Sequence, residues 1–298
     1  MIRATFLIAF TVLVSIACDS GLPHTPVVVY AVGIDENTLT QQLAEFTDDT
    51  GIPVILVFSK SSRNVDIFMS NSGSPPPDVL ISNNVADVWR AADEGALRPL
   101  SNEAIESSDP SLKDPDGFWI AVAMRWNVIG ALKGASALSL SGIYDSLAGE
   151  NMRGRLCLSS SALHVNRSLI AMLINDRGVK QAERLVRAWI RNLAAPPFSS
   201  EDELVEAIRN GTCAYGVLSS NPEIDDLAYF LPDQHYMDVD AIGVARHAPQ
   251  AESAQHLVKW LVETLQPRIA SEIEIGPVSI AGWLDEDAKL LAERAGYQ

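Results

Sequence analysis

Short hydroxyl and amide side chains gather where apolar runs of the sequence end: Ser59, Lys60, Ser61 and Ser62; Ser82, Asn83 and Asn84; Ser159, Ser160 and Ser161; Ser199 and Ser200; Ser219, Ser220 and Asn221. These groups donate and accept hydrogen bonds without charge, and beside a helix start they add side-chain donors to backbone N–H groups that attract an anion. Any single cluster is what helix capping alone would produce. Their recurrence at successive exits predicts a polar cleft, with Ser59, Ser61, Ser82, Asn83, Ser159, Ser160, Ser161, Ser199, Ser200, Ser219 and Asn221 as its candidate ligand contacts.

Arg125 is different in kind. It interrupts an apolar stretch beside Ala121, Val122, Ala123, Val128 and Ile129, where a guanidinium is costly without a partner. It therefore faces a cleft, where it could clamp an oxyanion through two parallel donors, or it sits in a structural ion pair. The motifs of catalysis are missing: there is no His-Glu-x-x-His and no Gly-x-Ser-x-Gly elbow, and His164, one turn into a helix, reads as a surface side chain. Neither an enzyme nor a cofactor is expected.

The elements that must place these residues alternate. Val27 to Val32 is β-branched and apolar, Leu39, Leu43 and Phe46 follow at helical spacing, and Ile52 to Phe58 is a second buried strand. Asp78 to Ser82 predicts a third, before a helix through Val85, Val88, Trp89 and Ala92 that Gly95 stops. Trp119 to Leu132 suits a strand passing from one lobe to another. A second series then runs through Leu156 to Ser159, helices over Ala162 to Asn175, Val179 to Asn192 and Asp202 to Arg209, and the strand Thr212 to Leu218. A strand over Asp240 to Ala245 and an amphipathic helix through Ala254, Leu257, Val258, Leu261 and Leu265 return to the first lobe. In such open sheets ligands sit beyond the carboxyl ends of the strands.

The 298 residues carry 22 Lys and Arg against 38 Asp and Glu, a net charge of −16. A nucleic-acid backbone is repelled by that balance. Arg3 followed by the apolar run Ala4 to Val14 has the layout of an export signal, too short to span a bilayer comfortably. Val14-Ser15-Ile16-Ala17-Cys18 resembles the lipobox of bacterial lipoproteins, with Ser15 departing from the usual Leu. It implies lipid anchoring at Cys18, the alternative being cleavage near Ala17 and a free thiol. Asp19 resembles an inner-membrane retention signal, and residues 19–26 read as a tether. Export permits a disulfide between Cys157 and Cys213. Both lie in apolar runs that read as core strands, where adjacent parallel strands hold side chains poorly for bridging, so unpaired thiols are expected.

Four stretches resemble the periplasmic solute-binding proteins of ferric-ion ABC importers. They are Val27 to Tyr30 with the helix ending at Asp48-Asp49-Thr50-Gly51-Ile52; Pro77 to Ile81 through Gly95 to Leu100; Asp114 to Ile129 with Asp116-Gly117-Phe118-Trp119; and Ala251 to Ile269. The resemblance implies an α/β, two-lobe periplasmic-binding-protein fold (type II), each lobe a mostly parallel sheet flanked by helices with a hinge between. Lobe 1 would comprise 27–124 with 239–272, and lobe 2 would comprise 125–238 with 273–298.

The resemblance also implies a periplasmic lipoprotein that closes over a small-molecule ligand and delivers it to a membrane permease. Ferric-binding members use a His after the first strand and a Tyr-Tyr pair after the strand matched by Ala214 to Leu218. This chain has Gly33, Ile34 and Asp35 in the first place and Ser219, Ser220, Asn221 and Pro222 in the second. Neither phenolate that a hard ferric ion favours is present, so no iron held in the usual manner is expected. Asp35 and Glu36 read as acids on a helix dipole, and His235 and Tyr236 as surface. The family's anion side matches Ser159 to Ser161 and Ser199 with Ser200, which points to a small oxyanion or polar organic anion. The alternatives are an apolar lipid or sterol on the same fold, ferric ion through a non-standard ligand set, and a sensor that signals to a membrane kinase.

Overall fold

The computed structural model describes residues 25–135, 142–219, 226–266 and 276–298. The export signal, Cys18, most of the tether and Asn221 lie outside the described residues. The first series is β1 (Val27–Val32), α1 (Glu36–Thr50), β2 (Val54–Ser59), α2 (Arg63–Met69), β3 (Val79–Ser82), α3 (Val85–Asp93), β4 (Leu97–Arg98) and α4 (Asn102–Ser107). The long β5 (Trp119–Leu132) leads to α5 (Ile143–Leu147), β6 (Leu156–Cys157), α6 (His164–Arg177), α7 (Val179–Asn192), α8 (Glu201–Arg209), β7 (Tyr215–Ser219) and β8 (Leu227–Phe230). The chain then runs through β9 (Met237–Ala245), α9 (Ala251–Leu265), α10 (Ser279–Trp283) and α11 (Asp285–Ala295).

Strands follow one another in the order β2-β1-β3-β9-β5-β7-β6. Pairing is parallel in β2-β1-β3 and in β6-β7, whereas β9 is antiparallel to β3 and β5, and β5 is antiparallel to β7 and β8. The sheet is therefore mixed, and the antiparallel part is the crossing itself. Trp119 to Trp126 pair with β9, and Asn127 to Leu132 pair with β7 or β8. A register shift between Ala121 and Ala123 breaks the β5–β9 ladder, a device that bends and twists a strand. One continuous strand thus serves both lobes.

Sequence periodicity accounts for the packing. Leu39, Leu43 and Phe46 of α1 bury one face of the first sheet together with Leu257, Val258 and Leu261 of α9, while Val65, Phe68, Val85 and Val88 cover the other. A second core gathers Ile129, Ile170, Leu173, Trp189 and the α11 residues Leu291 and Ala292. Burying each such side chain stabilises by about 1.5–3 kcal/mol. Gly51, at φ 72, ends α1 with its N–H on the Thr47 carbonyl, a left-handed stop that glycine adopts without steric cost.

Two expectations fail here. Cys157 and Cys213 are joined in a disulfide with Cα atoms 5.9 Å apart. The β6–β7 ladder places Cys157 opposite Gly216, and Cys213 precedes β7, so its backbone is free of the parallel register that would have kept the sulfurs apart. Tyr236 is not a surface residue: it is 3% exposed, stacks on Tyr144 and donates its hydroxyl to Asp176 at 2.6 Å.

Candidate functional site

Between the lobes lies a recess of about 480 Å³. The loops after β1 and β3 contribute Gly33, Asp35 and Asn83, β5 and β9 contribute Arg125 and Asp240, and α6, α8 and β7 contribute His164, Glu201 and Ser219. Asn83 is held over the loop after β1 by donating to the Gly33 carbonyl at 2.7 Å. φ at Gly33 is 69, a left-handed value that favours glycine, and an added Cβ there would press on the Asn83 side-chain amide.

Most of the serine clusters are consumed locally. The Ser59 hydroxyl accepts from the Ser61 N–H at 3.2 Å, and Ser82 donates to Asp87 at 2.9 Å. Ser159 accepts from the Asn166 amide at 2.9 Å, and Ser160 from the Ala162 N–H at 3.1 Å. Ser161 donates to the Tyr297 carbonyl at 2.9 Å. Ser199 donates to Glu203 at 2.8 Å, and Ser200 caps α8 on the Glu203 N–H at 3.2 Å. Of the polar residues singled out from sequence, Asn83, Arg125 and Ser219 line the recess.

Arg125 is engaged as an ion pair. Its Nη2 lies 2.8 Å from Asp238 and 2.7 Å from Asp240. Asp238, with a side chain at 0% exposure, also faces His164 Nδ1 at 3.0 Å and accepts from the Ser168 hydroxyl at 3.1 Å. Burial alone would raise the Asp238 pKa, but His164 and Arg125 hold the carboxyl below its ordinary range. Burial alone would lower that of Arg125, and Asp240 and Asp238 outweigh it, fixing the guanidinium as a cation. An arginine neutralised twice has little charge left for an oxyanion ligand.

Sequence reading missed His164, Glu201, Asp238 and Asp240. His164 opens α6 and turns into the gap instead of outward. Glu201 begins α8, one residue before the expected helix start, and its carboxylate accepts from the Ser219 N–H at 2.6 Å and from the Ser219 hydroxyl. A signal for the aspartates existed in the Asp-Val-Asp alternation of β9, which sends both carboxylates to one face while Val239 is buried on the other.

The recess lining thus carries Asp35, Glu201 and Asp240 against one arginine. None of the six tyrosines lines it, and burial pushes the phenols of Tyr144, Tyr236 and Tyr297 upward, toward the neutral form. Among the described residues no three His, Cys, Asp or Glu side chains are gathered closely enough to hold a metal. A neighbouring recess of about 630 Å³ on the α3 and α10 side has mixed charge, with Lys60, Arg90, Arg167 and Lys289 beside Asp87, Asp285 and Glu286 in its wall. Asn83 and His164 belong to both recesses.

No family model matches the chain. Iron uptake protein A1 of Synechocystis is 29% identical over 245 residues, covering 76% of this chain and 68% of the relative. The Fe(3+)-binding periplasmic protein of Serratia marcescens is 21% identical over 291 residues, covering 91% and 85%. A Trichodesmium protein solved in complex with iron and citrate superposes with a TM-score of 0.81 at 26% identity, covering 92% of this chain and 100% of that one. The chain has the type II periplasmic-binding-protein fold, and the proteins it is similar to bind or take up iron. The ferric binding protein of Campylobacter jejuni has the same fold, with a TM-score of 0.79 at 18% identity over 91% of this chain and 100% of its own.

Proposed function

We propose that the protein captures ferric iron, carried in complex with a small organic anion, between its lobes and passes it to a membrane permease. The observation that carries the reading is the charge of the gap: Asp35, Glu201 and Asp240 line it from both sides and from the hinge, with one arginine already paired. Such a lining attracts a cation, and carboxylate oxygen is a hard donor suited to ferric ion. That favours a non-standard iron site over the oxyanion expected from the serine clusters. The relatives' names and the iron- and citrate-bound Trichodesmium structure support iron as the cargo.

A volume of about 480 Å³ is far more than a bare ion needs, and the protein's oxygen donors are few, so the complexing anion supplies the remaining coordination. Lys60, in the wall of the adjoining mixed-charge recess, is placed to meet an outer carboxylate of that anion. Arg167 is held there by Asp285 at 2.7 Å, and Lys60 has no ion-pair partner among the described residues. Asn83 and Ser219, with Asn221 beyond the described residues, are proposed polar contacts. The proposed lobes are 27–124 with 239–272 and 125–238 with 273–298, hinged at β5 and β9, and Cys18 is the proposed lipid anchor at the inner membrane. Bound cargo bridging the lobes shifts the population toward a closed form.

Native mass spectrometry with elemental analysis tests this on protein exported in iron-replete medium. The expected species contains one iron and one organic anion per chain. A chain that is iron-free as purified and takes up none from ferric citrate rejects the reading.

A further inference from the structure

Arg125 touches two carboxylates with the same nitrogen, and the two are unequal. Asp238 has no exposed side-chain surface and three partners: Arg125 at 2.8 Å, His164 at 3.0 Å and Ser168 at 3.1 Å. Asp240 lies two residues along β9, opposite Ala123 where the β5 register slips. It lines the recess, the residue is 8% exposed, and its Oδ1 makes no aligned hydrogen bond. What it has is the charge contact to Arg125 at 2.7 Å.

We infer that Arg125 is a built-in counter-cation that masks Asp240, and that Asp240 is the cargo-contacting carboxylate it releases when a cation enters. This rests on the cation-cargo reading above. Withdrawing Asp240 from the guanidinium leaves no uncompensated buried charge, because Asp238 stays in place. A multivalent cation arriving from the gap competes with Arg125 for Asp240 alone, because Asp238 is shut off behind the guanidinium, His164 and Ser168.

Exchange at Asp240 leaves Arg125 neutralised and gives the incoming cation a hard oxygen ligand on the hinge itself. The resident charge also sets selectivity. Monovalent and weakly charged solutes gain too little from one carboxylate to displace a guanidinium, so the empty gap resists occupation by abundant small cations. Because β9 and β5 are the hinge strands, exchange at Asp240 acts at the place where the lobes meet.

The test uses the mature chain and terbium(III) as a trivalent oxygen-seeking probe, read by luminescence, with ferric citrate in parallel. Asp240→Asn is expected to weaken terbium binding about ten-fold or more while leaving the urea midpoint nearly unchanged, since each tenfold corresponds to one modest ionic contact. Arg125→Lys, whose compact ammonium cannot span both carboxylates, is expected to bind terbium more tightly than wild type. Equal affinity in Asp240→Asn and wild type overturns the inference while leaving the cation cargo standing. Binding by Arg125→Lys but not by wild type supports the masking and rejects the cargo. Failure of wild type and Arg125→Lys to bind either probe overturns both.

Discussion

Asp238→Ala is expected to unfold at a markedly lower urea concentration than wild type, with a loss of roughly 3–5 kcal/mol, the scale for removing one partner from a buried ionic cluster. The side chain has 0% exposure and its charge faces Arg125 and His164. Truncation leaves His164 and Ser168 without this carboxylate, leaves Arg125 with Asp240 alone, and opens a gap beneath β5 and β9. Asp240→Asn is the control: Arg125 keeps its 2.8 Å contact with Asp238, and the loss should stay within about 1 kcal/mol. The effect carries a pH signature. In the folded protein the charges of His164 and Arg125 overcome burial and hold the Asp238 carboxyl below the ordinary carboxylate range. Its contribution is therefore complete above the unfolded value and is lost as pH falls through the lower, folded one. Urea midpoints measured between pH 7 and pH 3 should converge for wild type and Asp238→Ala. Parallel curves through the acid range would show that the ionised carboxylate is not what holds this junction.

Breaking the disulfide should have an effect of similar size. Cys157 and Cys213 are 56 residues apart in sequence, and on the chain-entropy model closing such a loop stabilises by about 4 kcal/mol. The bridge ties β6 to the segment that enters β7, beside the α8 residues Leu204 and Ile208 in a small core. A Cys157→Ser, Cys213→Ser double variant should lose about that much in urea denaturation, and wild type under reductant should match it. The lobe containing β6 and β7 should unfold first, since the first lobe has cores of its own. A double variant as stable as wild type would mean that the loop is already constrained in the unfolded chain.

Much of the scaffold was legible because it rests on short-range periodicity. Leu39, Leu43 and Phe46 announced α1, and the apolar runs of β1, β3 and β5 announced buried strands. The expected helix over Val179 to Asn192 is found as such, because its apolar stripe and the preceding Gly178 act locally. The site was less legible. A serine at a strand exit looks the same whether it caps a helix or meets a ligand, and here Ser200 caps α8 while Ser161 is held by Tyr297 from the far end of the chain.

The expected strand began at Asp240 and left Asp238 outside it, whereas β9 starts at Met237. Partners distant in sequence, with Arg125 113 residues from Asp238, allow the carboxylates to lie inside it. Glu201 and His164 were hidden for the same reason, their meaning lying in a partner from another element. The cysteines show the converse: a local strand argument ruled out a bridge that three-dimensional placement makes.

The acidic gap is the centre of the functional reading, and small-angle scattering with added cargo tests it most directly. Ferric citrate should contract the mature protein, lowering its radius of gyration as the lobes close, and sodium citrate at the same concentration should not. No contraction with ferric citrate, or equal contraction with citrate alone, would contradict capture of a cation-bearing cargo between the lobes.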